Sequence, residues 1–223
     1  KNNPIYHACW KLQAVWDWNM WIFFTIIEWI RRPLWKRPWE RWPVQSGKAL
    51  YVGLSNYDGK TLSQATSILH EMHCPFVINQ NRYSIFDRTV EKNGLKKTTG
   101  ILKKGLITFS PLAQGQLTDR YLNGIPEDSR IRTDGRFLKE SNLTPERVLQ
   151  IRELNDMAAG RGEKLSEMAL GWLLAQQEVT SVLIGASRPQ QILDNIKAIH
   201  CAPFTEEELV RIDEIAAEKI QPV

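Results

Sequence analysis

Apolar and polar positions alternate in two distinct patterns from Val44 to the end of the chain. Short β-branched and aliphatic runs bounded by glycine or polar residues predict strands buried on both faces, and longer stretches with helical spacing predict helices. The predicted strands are Lys48–Ser55, Pro75–Gln80, Gly105–Ser110 and Ser181–Ser187. The predicted helices are Leu62–Met72, Pro145–Ala159, Ser166–Ala175, Gln190–Ile199 and Glu206–Lys219. Regular alternation of the two predicts an α/β fold with a parallel sheet.

The first 43 residues have a different character, since eight of the nine tryptophans lie within the first 42 residues. The run Ala14–Ile30 is mostly apolar and is followed by arginines and a lysine, which is compatible with a membrane span or an interfacial helix. However, Asp17, Asn19 and Glu28 lie inside it, and a carboxylate costs about 2.5–3.5 kcal/mol at the bilayer centre. We therefore expect no span, and expect residues 1–43 to form a poorly packed helix or no regular structure.

Charge and cysteine content narrow the class of protein. The net charge of +4 is spread along the chain, which does not indicate a nucleic-acid-binding protein. Three widely separated cysteines do not suggest a disulfide framework, so we expect a reducing, cytoplasmic setting. His70 and His73 have no further ligand cluster nearby in the sequence, and no metal site is predicted.

Four motifs at the ends of predicted strands then carry a family resemblance. They are GLSNYD, INQNRY, TFSPLAQGQLTDRYLNGIPEDSR and SVLIGASRPQQILDNI. Together they resemble the C-terminal half of an aldo-keto reductase, in the branch of L-glyceraldehyde 3-phosphate reductase and the potassium-channel β subunits. The resemblance runs from Val44 to about Glu218. It implies the C-terminal half of a (β/α)₈ barrel, with NADP(H) bound at the carboxyl ends of its strands and a small aldehyde or ketone as substrate.

The resemblance also assigns site residues. Ser55, Asn56 and Gln80 would hydrogen-bond the nicotinamide carboxamide, and Phe109 would lie against the nicotinamide ring. The residues assigned to the pyrophosphate and other phosphates are Ser110, Leu112, Gln114, Gly115, Arg120 and Arg130. The residues assigned to the adenosine end are Gly185, Ser187, Arg188, Gln191 and Asn195, with Ser187 and Arg188 at the 2′-phosphate. The residues alone leave other interpretations open, namely strand-end capping, a core phenylalanine and solvated surface arginines.

No catalytic residue is assigned, because the family's Asp, Tyr, Lys and His tetrad belongs to the first half of the barrel. Three of the four would precede this chain, and the histidine would fall between residues 20 and 30. Read in the neighbouring frame, codons for Trp16–Trp29 permit GLEYVDIFYHHR, and those for Ile30–Pro43 permit PETPLEETMGALA. Both strings resemble the family, so we interpret residues 1–43 as out-of-frame and residues 44–223 as a half barrel.

Three functions therefore remain as hypotheses. The chain is part of an NADP(H)-dependent aldo-keto reductase that is inactive alone, a non-catalytic NADP(H)-binding module, or a membrane-anchored half barrel. The sequence leaves the carbonyl substrate and any oligomeric state open.

Overall fold

The computed structural model describes residues 21–27, 49–127, 129–133 and 138–217. Within them, five strands form one sheet in the order in which they occur along the chain. They are β1 (Trp21–Ile27), β2 (Ala49–Ser55), β3 (Phe76–Arg82), β4 (Gly105–Phe109) and β5 (Val179–Val182). The pairings of β1 with β2 and of β2 with β3 are parallel. Sequential strands joined by helices are the connectivity of a (β/α)₈ barrel, and the predicted α/β fold is confirmed.

Strand β1 corrects one expectation. Trp21–Ile27 is not helical or irregular but pairs with β2, with Trp21 opposite Ala49 and Ile27 opposite Ser55. Its apolar, β-branched composition suits a strand beside a buried parallel neighbour. The remaining residues of the 1–43 segment lie outside the described part of the chain.

Strand β5 also differs from its prediction, because it ends at Val182 instead of reaching Ser187. The Leu183 amide still donates to the Thr108 carbonyl at 2.8 Å. Since β4 ends one residue later, at Phe109, the chain beyond Leu183 has almost no neighbouring strand left to pair with.

Eight α-helices occur in the described residues. They are α1 (Gly59–Glu71), α2 (Thr89–Lys92), α3 (Leu95–Ile101), α4 (Arg130–Thr133), α5 (Pro145–Gly160), α6 (Leu165–Leu174), α7 (Pro189–Ile196) and α8 (Glu206–Ala216). The longer helices match the predicted ones, and α5 and α8 begin with Thr144 and Thr205 as side-chain caps. Helices α2, α3 and α4 were not predicted because each is too short to show a periodic apolar pattern.

No helix in the described ranges combines the length and the apolar character that crossing a membrane requires.

The chain divides into two compact units. Unit 1 comprises Lys1–Asn81 and Val90–Ile107, and unit 2 comprises Arg82–Thr89 and Thr108–Val223. In unit 1, α1 buries an apolar face whose residues are Leu62, Ala65 and Leu69. In unit 2 the core is formed mainly by α5 and α6, and its fully buried side chains include Ile151, Leu154, Met168, Trp172 and Leu173. Each unit therefore has an apolar core of its own.

Candidate cofactor site

Unit 1 brings three of the predicted residues together at the carboxyl ends of β2 and β3. Ser55 and Gln80 are directly opposite each other in the parallel pair. The Asn56 amide donates to the Gln80 carbonyl at 3.0 Å, with Asn56 in the left-handed region at φ 61°. Ser55 is 1% exposed, and its Oγ has no hydrogen-bond partner within the described residues. A buried hydroxyl without a partner carries a desolvation cost that a polar ligand atom could remove.

Unit 2 contains Phe109 at the end of β4, where its ring is half-buried. The Arg82 guanidinium lies 5.8 Å from the ring centre, within the range of a cation–π contact. The Tyr83 amide donates to the Phe109 carbonyl at 3.4 Å. Phe109 therefore has a charged side chain beside its half-buried ring.

The segment after β4 has an unusual backbone. Ser110, Ala113, Gln114 and Gly115 all have positive φ, of 54°, 47°, 61° and 95°. The Gly115 amide donates to the Leu112 carbonyl at 2.8 Å, and Gln114 Nε2 donates to Ser110 Oγ at 2.9 Å. The Ala113 amide likewise donates to the Ser110 carbonyl at 3.0 Å, and the Leu117 amide donates to the Leu112 carbonyl at 3.2 Å. The predicted pyrophosphate residues of this segment thus share one compact turn.

Of the two predicted loop arginines, Arg120 and Arg130, the structure describes the side chain of Arg120 alone. Thr118 caps the turn that holds Arg120, since its Oγ accepts a hydrogen bond from the Arg120 amide at 3.2 Å. The Arg120 side chain is half-buried. Arg130 begins α4, but its side chain lies outside the described part of the structure.

At the start of α7, three hydrogen-bond donors of predicted site residues meet at one acceptor. Gln191 Oε1 accepts hydrogen bonds from the Ser187 amide at 2.8 Å, the Ser187 hydroxyl at 3.2 Å and the Arg188 amide at 3.2 Å. Three donors at a helix N-terminus thus converge on one neutral oxygen, at the end of the helix that favours negative charge. Asn195, one turn further on, is buried, and Gly185 precedes the cluster in an exposed position with open space where a side chain would be.

Two charged residues that the sequence did not indicate hold α7 in place. Lys164 Nζ donates to Asp194 Oδ2 at 3.0 Å, and Lys197 and Gln190 donate to the other carboxylate oxygen. The hydrogen bond from Lys164, followed by those from Lys197 and Gln190, lowers the pKa of Asp194 to about 2. Asp194 in turn raises the pKa of Lys164, and Asp119 contributes to that shift. No local pattern could have shown this, because the partners are far apart in sequence.

Within the described residues, no three side chains of His, Cys, Asp or Glu are grouped so that they could hold a metal ion.

Enzymes and a channel subunit are among the named proteins to which this chain is similar. L-glyceraldehyde 3-phosphate reductases of Escherichia coli O157:H7 and Escherichia coli strain K12 are 46% and 45% identical over 178 residues, which cover 78% of this chain and 51% of each enzyme. A protein of Oryza sativa subsp. japonica named "Probable voltage-gated potassium channel subunit beta" is 29% identical over 172 residues, covering 76% of this chain and 52% of its own length. The chain thus spans about half the length of the curated relatives it matches.

The family comparison covers nearly the same range as the sequence motifs. Residues 43–217 match the family described as "Aldo/keto reductase family", in agreement with the range expected from those motifs. Relatives from the expected branch are also found. This chain therefore belongs to the aldo/keto reductase family.

Proposed function

We propose that this chain provides the NADP(H)-binding half of an aldo-keto reductase. The observation that carries the proposal is the convergence of the Ser187 and Arg188 donors on Gln191 Oε1 at the start of α7. A phosphate oxygen is a stronger acceptor for these donors than a neutral carboxamide oxygen, because it is charged. Gln191 would then be released to contact the adenosine.

Residues in each unit fit such a cofactor. In unit 2, the half-buried Phe109 ring offers an aromatic face, and the compact turn at Ala113–Gly115 follows it along the chain. In unit 1, the Ser55 hydroxyl is buried without a partner among the described residues, as expected of a group that awaits a ligand atom. A nicotinamide carboxamide has both a donor and an acceptor that suit serine, asparagine and glutamine side chains.

A preference for NADP(H) over NAD(H) follows from Arg188. Its guanidinium is permanently charged and exposed at the N-cap of α7, beside the amides that would face the 2′-phosphate. An unphosphorylated ribose would gain nothing from this charge.

The reaction itself is proposed for the whole barrel. The bound nicotinamide supplies hydride to a small aldehyde or ketone, such as a glyceraldehyde 3-phosphate-like compound. This chain would bind and orient the cofactor through the residues above. Carbonyl reduction also needs a proton donor near the carbonyl oxygen. Tyr83 is fully buried edge-on against Trp172, so it is unsuited to that task. We therefore propose that the chain alone does not reduce aldehydes.

A second candidate is a binding module without chemistry. It is favoured by the relative named as a potassium channel subunit beta. This candidate makes the same binding prediction but allows no turnover after the barrel is completed.

Binding of 2′,5′-ADP and 5′-AMP, measured by isothermal titration calorimetry, tests the proposal on unit 2. We expect the wild-type chain to prefer 2′,5′-ADP, and Arg188→Met to lose most of that preference. Arg152→Met, which removes an exposed arginine from α5, is the matched control and should bind as wild type does. Equal affinity for the two nucleotides in the wild type would overturn the assignment. NADPH oxidation with glyceraldehyde 3-phosphate should stay at background, and a turnover that Arg188→Met abolishes would contradict the proposed inactivity.

A further inference from the structure

Helix α7 is only shallowly packed against the rest of unit 2. All eight of its residues are described, and Asn195 alone among them is buried. The chain that leads into the helix, from Leu183 to Arg188, is exposed. An element with few buried apolar contacts is held weakly, so polar contacts have a larger share in fixing its position.

The chain that follows α7 is fixed against α6. Beyond the turn Lys197–His200, Cys201 lies so close to Gly171 of α6 that a Cβ added at position 171 would be 2.9 Å from Cys201 Cβ. Cys201 Sγ also donates to the Glu167 carbonyl at 3.4 Å. This contact gives α7 one fixed point, beyond its C-terminal end.

Lys164 supplies a second fixed point, nearer to the N-terminus of α7. Its Nζ donates to Asp194 Oδ2 at 3.0 Å. The main chain of Lys164 is itself held, because its amide donates to Glu167 Oε2 at 2.9 Å and the next residue, Leu165, is buried. The lysine therefore joins α7 to the start of the core helix α6. Two fixed points determine the direction of a helix, whereas one alone lets it tilt.

Arg188 lies at the end of α7 that a tilt would move most. It precedes Asp194 by six residues, which is about 9 Å along the helix axis. The Ser187 and Arg188 amides, which donate to Gln191 Oε1, are at this end. Hydrogen bonds weaken steeply when their donors are misaligned, so the direction of α7 bears on what these amides can bind.

We propose that Lys164 is a positioning residue for the cofactor, which keeps the α7 donors aligned for a phosphate by holding Asp194. This inference rests on the proposed function, since it concerns the same phosphate-binding end of α7. Lys197 does not share the role, although its Nζ donates to Asp194 Oδ1 at 3.2 Å. It lies three residues after Asp194 in the same helical segment, so its contact links α7 to no other element.

Binding of 2′,5′-ADP to the full 223-residue chain, measured by isothermal titration calorimetry, tests the proposal. Lys164→Met should lower the affinity about three- to fivefold, as expected when one exposed ion pair is lost, and Lys164→Arg should restore most of it. Lys197→Met is the matched control, because the two lysines are 60% and 58% exposed and contact the same carboxylate. Its affinity should equal that of the wild type.

A double-mutant cycle shows whether Lys164 acts through Asp194. In an Asp194→Asn background, Lys164→Met should have little further effect on affinity. Equal losses of affinity in the two methionine variants, wild-type affinity in Lys164→Met, or an undiminished effect of Lys164→Met in the Asp194→Asn background would each overturn the proposal.

Amide hydrogen exchange of the nucleotide-free chain gives a second measurement. Amides from Ile192 to Ile196 should exchange faster in Lys164→Met than in Lys197→Met, and equal rates would contradict the positioning role. A wild-type chain that binds 2′,5′-ADP no more tightly than 5′-AMP would instead overturn the proposed function. The exchange measurement needs no nucleotide, so the two failures are distinguishable.

Discussion

The guanidinium of Arg88 lies 4.2 Å from the centre of the Trp172 ring. Its Nη2 also donates to Asp213 on α8 at 2.8 Å, and its Nε donates to the Ile85 carbonyl at 3.2 Å. Trp172 is 2% exposed and meets the Tyr83 ring edge-on at 5.4 Å. Arg88 thus links the segment Arg82–Thr89 to helices α6 and α8 of unit 2.

Replacing Arg88 with methionine should destabilise unit 2 by about 2 kcal/mol. Methionine keeps the length of the side chain but removes a cation–π contact worth roughly 0.5–2 kcal/mol and the hydrogen bonds. Urea unfolding monitored by tryptophan fluorescence measures the change. Lys104→Met, which removes a looser contact with Phe76 at 5.6 Å, should cost clearly less. Equal losses of stability in the Arg88→Met and Lys104→Met variants would show that the Arg88–Trp172 contact contributes no more than the Lys104–Phe76 contact.

Replacing Arg161 should lower the free energy of unfolding more than replacing any exposed arginine does. Its side chain is 8% exposed and bonds Glu163, Glu208 and the Ala202 carbonyl, with the Phe204 ring 4.2 Å away. Removing one member of a buried ion pair leaves charges without partners, so Arg161→Met should cost about 3 kcal/mol in unfolding free energy.

Arg211 is the matched comparison, because it also pairs with two carboxylates, those of Glu153 and Glu214, but is 55% exposed. Arg211→Met should cost less than about 1 kcal/mol. Chemical denaturation of both variants gives the two values. An Arg161 effect no larger than that of Arg211 would argue against the importance of burial here.

The carboxyl of Asp194 should titrate with a pKa of about 2, below the ordinary 3.8, in a ¹³C NMR titration. Because the folded-state pKa is lowered, the contribution of Asp194 to stability is present above about pH 3.8 and is lost as the pH falls through about 2. Lys164→Met should move this pKa up more than Lys197→Met does. A pKa at the ordinary value in the wild type would mean that the Lys164 contact does not persist in solution.

Gly59→Ala should destabilise unit 1 by about 1–3 kcal/mol, since overpacking forces the backbone to move. An added Cβ would lie 2.6 Å from the Gly94 carbonyl oxygen and 2.7 Å from Thr98 Oγ1. Gly160→Ala, at the end of α5, meets open space and should stabilise by about 0.5–1 kcal/mol. Thermal melting compares the two, and equal effects would contradict the steric argument.

Sequence reasoning located most of the regular structure because the apolar periodicity of long helices and buried strands is local information. It assigned Ser187 and Gln191 to one cofactor site through the family resemblance of the motif SVLIGASRPQQILDNI, although it did not predict the hydrogen bond between them. It could not find the Lys164–Asp194 pair or the Arg88–Trp172 contact, because tertiary packing alone brings such residues together. It extended β5 too far, since the apolar run continues after the neighbouring strand has ended.

The consecutive left-handed residues Ala113, Gln114 and Gly115 limit the variation that this loop can tolerate. Glycine adopts such backbone angles freely and asparagine fairly often, whereas valine, isoleucine and threonine adopt them rarely. In a library randomised at these three positions, most variants with β-branched residues would not form the turn. Selection would therefore remove them whatever their affinity for a cofactor. Survivors would be enriched in glycine and asparagine. New nucleotide preferences would therefore arise more readily at Arg188, where the backbone is extended and accepts most side chains.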